Sequence, residues 1–255
     1  MLSIGDRMVA PRLLILDKDG TLIAFDLLWR TWYGALVAAI EVETPLGPRA
    51  RRALDATLGV AQLTGAWDSA GPLVLASTGE VGILLAGVLY RYAHQPWPEA
   101  LQRVERAERN ARDALRGQNL IQPIGDVAGL LRRLRAAGLL LALATTDSRA
   151  SAEECLAQLG ITACFDATVC GDDGVPLKPA PDMVLKLCAE LGVPPAQTVV
   201  VGDTVLDMEM ARAAGCLCAV GVTSGALSAE HLAPYADVVL PDIHGLHIVA
   251  PGEWA

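Results

Sequence analysis

The sequence predicts an α/β protein: a doubly wound parallel sheet with an inserted block of helices. Three observations predict it. From about residue 120 onward, short apolar runs alternate with helical stretches, the rhythm of parallel strands joined by crossover helices. The main runs end in acidic or hydroxyl residues, where open sheets of this kind place their ligands. Residues 25–119 carry helical patterning and no convincing alternating strand, so they read as a separate helical domain. The core is expected at residues 1–24 and 120–255.

The first run, Leu13 to Leu16, has four aliphatic residues and is too short for a helix. It ends in Asp17-Lys18-Asp19-Gly20-Thr21. Residues i and i+2 of a strand share a side, although Gly20 indicates that the chain is already turning. Two carboxylates left without a counter-charge repel, and one tends to keep a proton. One acid can then act as an anionic nucleophile and the other as a proton donor, with a divalent cation holding the site together. An ordinary Asx-type turn explains these few residues equally well; the later chain decides against it.

Helices are expected at Leu27 to Glu41, Pro48 to Leu58, Gly79 to Tyr92 and Pro98 to Leu115. The last is densely charged, with Glu99, Arg103, Glu105, Arg106, Glu108, Arg109 and Arg112, and reads as a solvated face with pairs three or four residues apart. The core pattern then begins. Ile124 to Ala137 has helical spacing and stops at Gly138. Leu139 to Ala144 reads as a buried strand, Ser148 to Leu159 as a helix, and Ala167 to Cys170 as a short strand. Pro181 to Leu191 is helical up to Gly192 and Pro194-Pro195. Thr198 to Val201 is a strand, Thr204 to Ala214 a helix, and Leu217 to Val220 and Val238 to Leu240 the final strands.

Composition narrows the function. The chain has 255 residues and a formal charge of −9, which argues against a surface that binds nucleic-acid phosphates. Apolar residues make up 53% of it, enough for a core, while aromatics are only 4%, which favours small side chains and close helix–sheet packing. The six cysteines form no C-x-x-C pair and read as small buried hydrophobes of a reducing cytosol. Residues 1–12 lack an apolar signal core, and the most apolar stretch, Gly71 to Tyr90, is interrupted by Glu80. The expectation is a soluble cytoplasmic protein, monomer or homodimer, with no membrane contact. The stretch Leu73 to Leu89 reads chiefly as internal packing, with a lipid-like substrate site or a dimer interface as alternatives.

The strand ends supply the chemistry. Asp17 and Asp19 follow the first strand; Thr145, Thr146 and Asp147 follow the second. Gly202, Asp203 and Thr204 follow Thr198 to Val201, with Asp207 one turn into the next helix. The loop Leu177-Lys178-Pro179-Ala180-Pro181-Asp182 can hold one lysine at a helix entrance. Singly, each has an ordinary explanation: a helix cap for Thr145, a surface position for Lys178, a first-turn acid for Asp207. Together they fit a phosphate ester. Its negative charge is tolerable beside Asp17, Asp19 and Asp203 only with a cation, and hard oxygen donors select Mg²⁺. Lys178 adds a second positive charge, and Thr145 and backbone amides can bind phosphoryl oxygens.

Asp17-Lys18-Asp19-Gly20-Thr21, Thr145, Lys178 and Gly202-Asp203-Thr204-Val205-Leu206-Asp207 resemble, in order, the four motifs of the haloacid dehalogenase-like superfamily. The resemblance covers residues 8–24 and 120–243, and the insertion resembles the helical cap of the phosphoglycolate phosphatase and β-phosphoglucomutase branch. It implies that Asp17 is the nucleophile that becomes an aspartyl-phosphate. Asp19 is then general acid and afterwards base. Thr145 and Lys178 bind the phosphoryl group, as do Gly20, Thr21 and Thr146 at the strand ends. Mg²⁺ is implied at Asp17, the Asp19 backbone carbonyl and Asp203, supported by Asp207. Lys18 departs from the usual apolar or aromatic residue between the two acids and is read as a selectivity feature.

Asp19 favours phosphoryl transfer, because the superfamily's dehalogenases lack the second aspartate. No lysine lies between Lys18 and Lys178, so the cap lysine of the phosphonate-cleaving relatives has no counterpart. The expected function is a Mg²⁺-dependent phosphatase for a small metabolite, either a phosphoglycolate-like compound or a sugar phosphate. A phosphomutase and a catalytically silent binding protein are the alternatives.

Overall fold

A computed structural model describes residues 1–43, 45–61 and 66–249. The chain divides into two compact units, Met1–Phe25 with Ile121–Ala255, and Asp26–Leu120.

The first unit is built on a six-stranded sheet. In chain order its strands are β3 (Leu13–Leu16), β4 (Leu140–Ala144), β5 (Ala167–Val169), β6 (Thr198–Gly202), β7 (Cys218–Val222) and β8 (Val238–Leu240). Their spatial order is β5-β4-β3-β6-β7-β8, and every pairing is parallel. The direction of winding reverses between β3 and β6, the switch point at which such sheets open a crevice. Leu13, Leu14, Ile15 and Leu16 are all buried, and β3 is one of the inner strands, with a neighbour on each side. Helices α6 (Val127–Ala136), α7 (Arg149–Gln158), α8 (Asp182–Leu191) and α9 (Val205–Ala214) alternate with the strands, and a short α10 (Ala229–Leu232) lies between β7 and β8. Gly192 and Gly215 end α8 and α9 in the left-handed conformation, with φ of 64° and 75°. One face of the sheet is sealed by Met183, Val184 and Leu187 of α8 with Met208 and Ala211 of α9, packed with Leu13, Ile15 and Val200.

A second sheet escaped the sequence pattern. Strands β1 (Leu2–Ile4), β2 (Arg7–Val9) and β9 (Leu246–Ile248) form an antiparallel ribbon in the order β2-β1-β9. Gly5, at φ 56°, makes the turn between β1 and β2. Three-residue strands leave almost no alternation to read, and β9 is distant in sequence from its partner.

The second unit is helical: α1 (Phe25–Glu43, beginning in the first unit), α2 (Pro48–Leu58), α3 (Pro72–Leu75), α4 (Thr78–Tyr92) and α5 (Trp97–Leu115). Its core contains Leu36, Val37, Ile40, Leu54, Leu85, Leu89 and Val104. Leu73, Val81, Leu85, Val88 and Leu89 are buried there, which accounts for much of the apolar stretch from Leu73 to Leu89. The charged α5 is not simply a solvated face. Arg103 and Arg106 reach across to Glu43 of α1, at 3.3 and 2.7 Å, and Glu108 lies against Gly82, with burial pushing its carboxyl up to about 6. No helix among the described residues is long and apolar enough to cross a membrane.

Within this unit the buried Tyr33 hydroxyl donates to Asp55 Oδ1 at 2.6 Å. Removing that hydroxyl leaves a buried carboxylate short of a donor. Hydrogen bonds to charged groups contribute about 1.5–3 kcal/mol, so Tyr33→Phe is expected to lose stability of that order. Urea denaturation checks it, and an unchanged midpoint contradicts the role given to the pair.

Candidate active site

The site forms where β3 and β6 end. In register, Leu16 lies opposite Leu143 of β4 on one side and Val201 of β6 on the other. Asp17 follows immediately, and its N–H donates to the Val201 carbonyl at 2.9 Å, extending the ladder by one residue. Asp203 stands two residues past Val201, and Thr145 two past Leu143. Parallel pairing thus brings residues 17, 145 and 203 to the same end of the sheet.

After Asp17 the chain turns back. Leu22 and Ile23 N–H donate to the Lys18 carbonyl at 2.9 and 3.2 Å, and Gly20 N–H donates to the Ile23 carbonyl at 2.7 Å. Gly20 has φ of 77°, and a Cβ there would collide with the Asp203 carboxylate. Glycine is therefore required twice, for the left-handed backbone and for the close approach of an acid. The loop after β7 closes the other side. Ser224 Oγ donates to the Gly20 carbonyl at 2.7 Å, and Ala226 N–H donates to Asp203 Oδ2 at 3.1 Å. Gly225 lies so near Asp203 that a side chain would collide there too.

Lys178 joins the acids. Its Nζ donates to Asp17 Oδ1 at 2.6 Å and lies 2.6 Å from Asp207 Oδ1. Asp207 is held by its own helix. Its Oδ2 accepts from Thr204 N–H at 3.1 Å and Thr204 Oγ1 at 2.6 Å, a reciprocal cap of α9. The first-turn role and the site role of Asp207 are thus combined in one residue. All four charged groups, Asp17, Lys178, Asp203 and Asp207, are buried.

Burial is the main cause that pushes Asp17 up to about 7; Lys178 opposes it, while Asp207 and Asp19 add repulsion. Asp203 is raised well above the usual range by burial, then by Asp17 and Asp207. Burial acts to depress Lys178, but attraction to Asp17 and then Asp207 outweighs it, so the ammonium holds its proton above the ordinary range. Three carboxylates around one ammonium leave excess negative charge. Oxygen donors in this arrangement fit a hard cation. Among the described residues no three His, Cys, Asp or Glu side chains form a ready metal cage. Mg²⁺ needs none, since it takes one or two carboxylates and keeps several waters. Asp17 and Asp203 are two carboxylates close enough to act on one another.

Thr145 is buried, and its Oγ1 accepts from Asp147 N–H at 3.2 Å. Thr146 is half-buried, and its carbonyl packs against Gly171 so closely that no Cβ fits. Thr21 is fully buried, with no hydrogen-bond partner for its hydroxyl among the described residues. Lys18 is 1% exposed and turns inward to Asp19 and Asp147, which removes the basis for reading it as a selectivity residue. Burial acts to depress it, but Asp147 and then Asp19 outweigh that and raise it well above its ordinary range. Sequence reasoning placed Asp147 at the strand end without giving it a part, and it missed Ser224, Gly225 and Ala226. The signal was available: Thr223-Ser224-Gly225 follows β7 as small polar residues follow the other strands.

The haloacid dehalogenase-like hydrolase family model matches residues 11–215. A probable phosphatase IndB from Dickeya dadantii (strain 3937) is 35% identical over 145 residues, 55% of this chain and 63% of that protein. The phosphoglycolate phosphatase of Escherichia coli (strain K12) is 36% identical over 117 residues, 46% of this chain and 44% of that protein. The chain thus spans about half the length of the curated relatives it matches. The crystal structure of a predicted phosphoglycolate phosphatase from Haemophilus somnus 129pt superposes with a TM-score of 0.70 at 20% identity, over 92% of this chain and 96% of that one, a likeness of fold.

The raised Asp17 carboxyl gives a pH prediction. It binds its proton more tightly folded than unfolded, so its contribution to stability is complete below 3.8 and is lost as pH rises through about 7. Asp17→Asn removes that loss. In metal-free buffer the variant's stability relative to the parent is expected to grow between about pH 4 and pH 7. Urea titrations of both proteins across that range check it, and a difference independent of pH contradicts it.

Proposed function

Since the chain belongs to the haloacid dehalogenase-like hydrolase family, we propose that it is a phosphatase of small phosphorylated metabolites that works through a phosphoenzyme on Asp17. Phosphoglycolate-like compounds and sugar phosphate monoesters are the substrate class. The observation that carries this reading is Lys178, whose Nζ is 2.6 Å from both Asp17 and Asp207. It ties the first and last motifs together where β3 and β6 end. The names of the relatives from Dickeya dadantii and Escherichia coli support the reaction type.

Asp17 attacks phosphorus through a carboxylate oxygen as the bond to the leaving oxygen breaks. Asp19 gives its proton to that oxygen, which departs as an alcohol. The Asp19 carboxylate then takes a proton from water, the water oxygen attacks phosphorus, and the bond to Asp17 breaks to release phosphate. Both acids return to their starting states. Lys178 holds the Asp17 carboxylate in place and offsets charge on the transferring group. Thr145, Thr146 and the turn at Gly20 and Thr21 are assigned to the phosphoryl oxygens. Asp17, Asp203 and the Asp19 carbonyl would hold Mg²⁺, which when bound supplies positive charge against the phosphoryl oxygens. Asp207 orients Lys178. The helical unit is assigned the role of a cap that excludes water and selects substrate. Six free thiols, five of them buried, suit a cytoplasmic setting.

The test uses single-turnover phosphoryl transfer with Mg²⁺, comparing an alkyl phosphate with nitrophenyl phosphate. Asp17→Asn is expected to transfer nothing from either. General acid catalysis is worth about 10²–10⁴-fold, so Asp19→Asn is expected to slow the alkyl substrate by that order and the nitrophenyl substrate, a better leaving group, far less. Substantial turnover by pure Asp17→Asn protein would remove the phosphoenzyme from the account.

A further inference from the structure

Lys18 is a buried ion of the first unit to which the proposed reaction gives no part. Its side chain is 1% exposed. Its Nζ lies 2.8 Å from Asp19 Oδ2 and 2.9 Å from Asp147 Oδ2. Both contacts are close ion pairs. Taking an ammonium out of water is costly and is sustained only by well-placed opposite charge.

The second partner is rigid. Asp147 is buried, and its Oδ1 accepts from Ser148 N–H at 2.7 Å. Its carbonyl accepts from Gly171 N–H at 2.8 Å, and its own N–H donates to Thr145 Oγ1 at 3.2 Å. Side chain and backbone are both fixed at the end of β4. An ammonium held there presents a fixed charge to Asp19. Asp19 itself stands on the turn after β3. Proton transfer to a leaving oxygen depends on that orientation, and a displacement of about 1 Å can cost about 100-fold.

We propose that Lys18 and Asp147 are a positioning pair that fixes the Asp19 carboxylate for proton transfer. The proposal rests on the assignment of Asp19 as general acid. Neither residue contacts substrate; both act through Asp19. The competing account is a purely structural ion pair that joins the turn after β3 to the turn after β4.

The double variant Lys18→Met with Asp147→Asn separates the two. It leaves no unpaired charge of the pair, and the amide retains an acceptor for Ser148 N–H, so fold and thermal stability are expected to survive; single variants serve as controls. In single-turnover transfer with Mg²⁺ the double variant is expected to slow an alkyl phosphate by about 10- to 100-fold and nitrophenyl phosphate much less, with KM little changed. In an Asp19→Asn background the same two substitutions are expected to add nothing. Equal slowing of both substrates, or a full effect in that background, overturns the proposal. A crystal structure of the double variant gives a readout independent of turnover: the Asp19 carboxylate is expected to leave its present orientation. An unmoved Asp19 overturns the proposal even if activity falls. If the parent protein hydrolyses no monoester, the general-acid assignment fails, and the orientation of Asp19 alone decides whether Lys18 and Asp147 position it.

Discussion

One buried ammonium between two buried carboxylates, with a third carboxylate close by, is the constraint on which the rest depends. Lys178 contacts Asp17 and Asp207, and Asp203 lies near enough to both acids to be raised by them. Such a cluster is costly in a low-dielectric interior unless its geometry, counter-charge and hydrogen bonds are well matched. The surrounding scaffold provides that geometry. The parallel register of β3 with β4 and β6 sets the heights of Asp17, Thr145 and Asp203. The α9 cap fixes Asp207, and Gly20 and Gly225 leave room for the Asp203 carboxylate. The excess negative charge that remains is what a hard cation and a phosphate ester together can use.

The same logic recurs beside it on a smaller scale. Lys18 sits between Asp19 and Asp147 much as Lys178 sits between Asp17 and Asp207. Each ammonium links an acid of the first turn to an acid beyond another strand, β4 in one case and β6 in the other. The two acids of one motif are thereby held by separate cations in opposite directions. This follows from the alternation of the first turn, where Asp17 and Asp19 flank a lysine.

Much of this was legible in the sequence, for identifiable reasons. β3 is buried on both faces, so it appears as an unbroken aliphatic run, and its end is marked by Asp17. β6 and Asp203 repeat the signal. Helix ends were off by one to three residues: Val205–Ala214 begins after its cap Thr204, and Val127–Ala136 begins three residues after Ile124. What stayed hidden depends on long-range contact. Leu2–Ile4 and Leu246–Ile248 are too short to show a period and acquire one only as partners. Lys18 reads as a selectivity feature until Asp147, remote in sequence, is seen beside it. Arg103 and Arg106 looked like partners for their own helix, but Glu43 of α1 takes both.

The central claim is that the acid cluster is electrostatically incomplete and takes up a divalent cation at Asp17 and Asp203. Thermal unfolding with and without Mg²⁺ tests it directly, without substrate. A ligand at about 100 times its dissociation constant stabilises the folded state by about 2.7 kcal/mol, which for a chain of this size raises Tm by several degrees. The account predicts that Mg²⁺ raises the Tm of the parent protein beyond the effect of NaCl at equal ionic strength, and that Asp203→Asn removes most of the increment. A Tm indifferent to Mg²⁺, or an increment undiminished in Asp203→Asn, would contradict it.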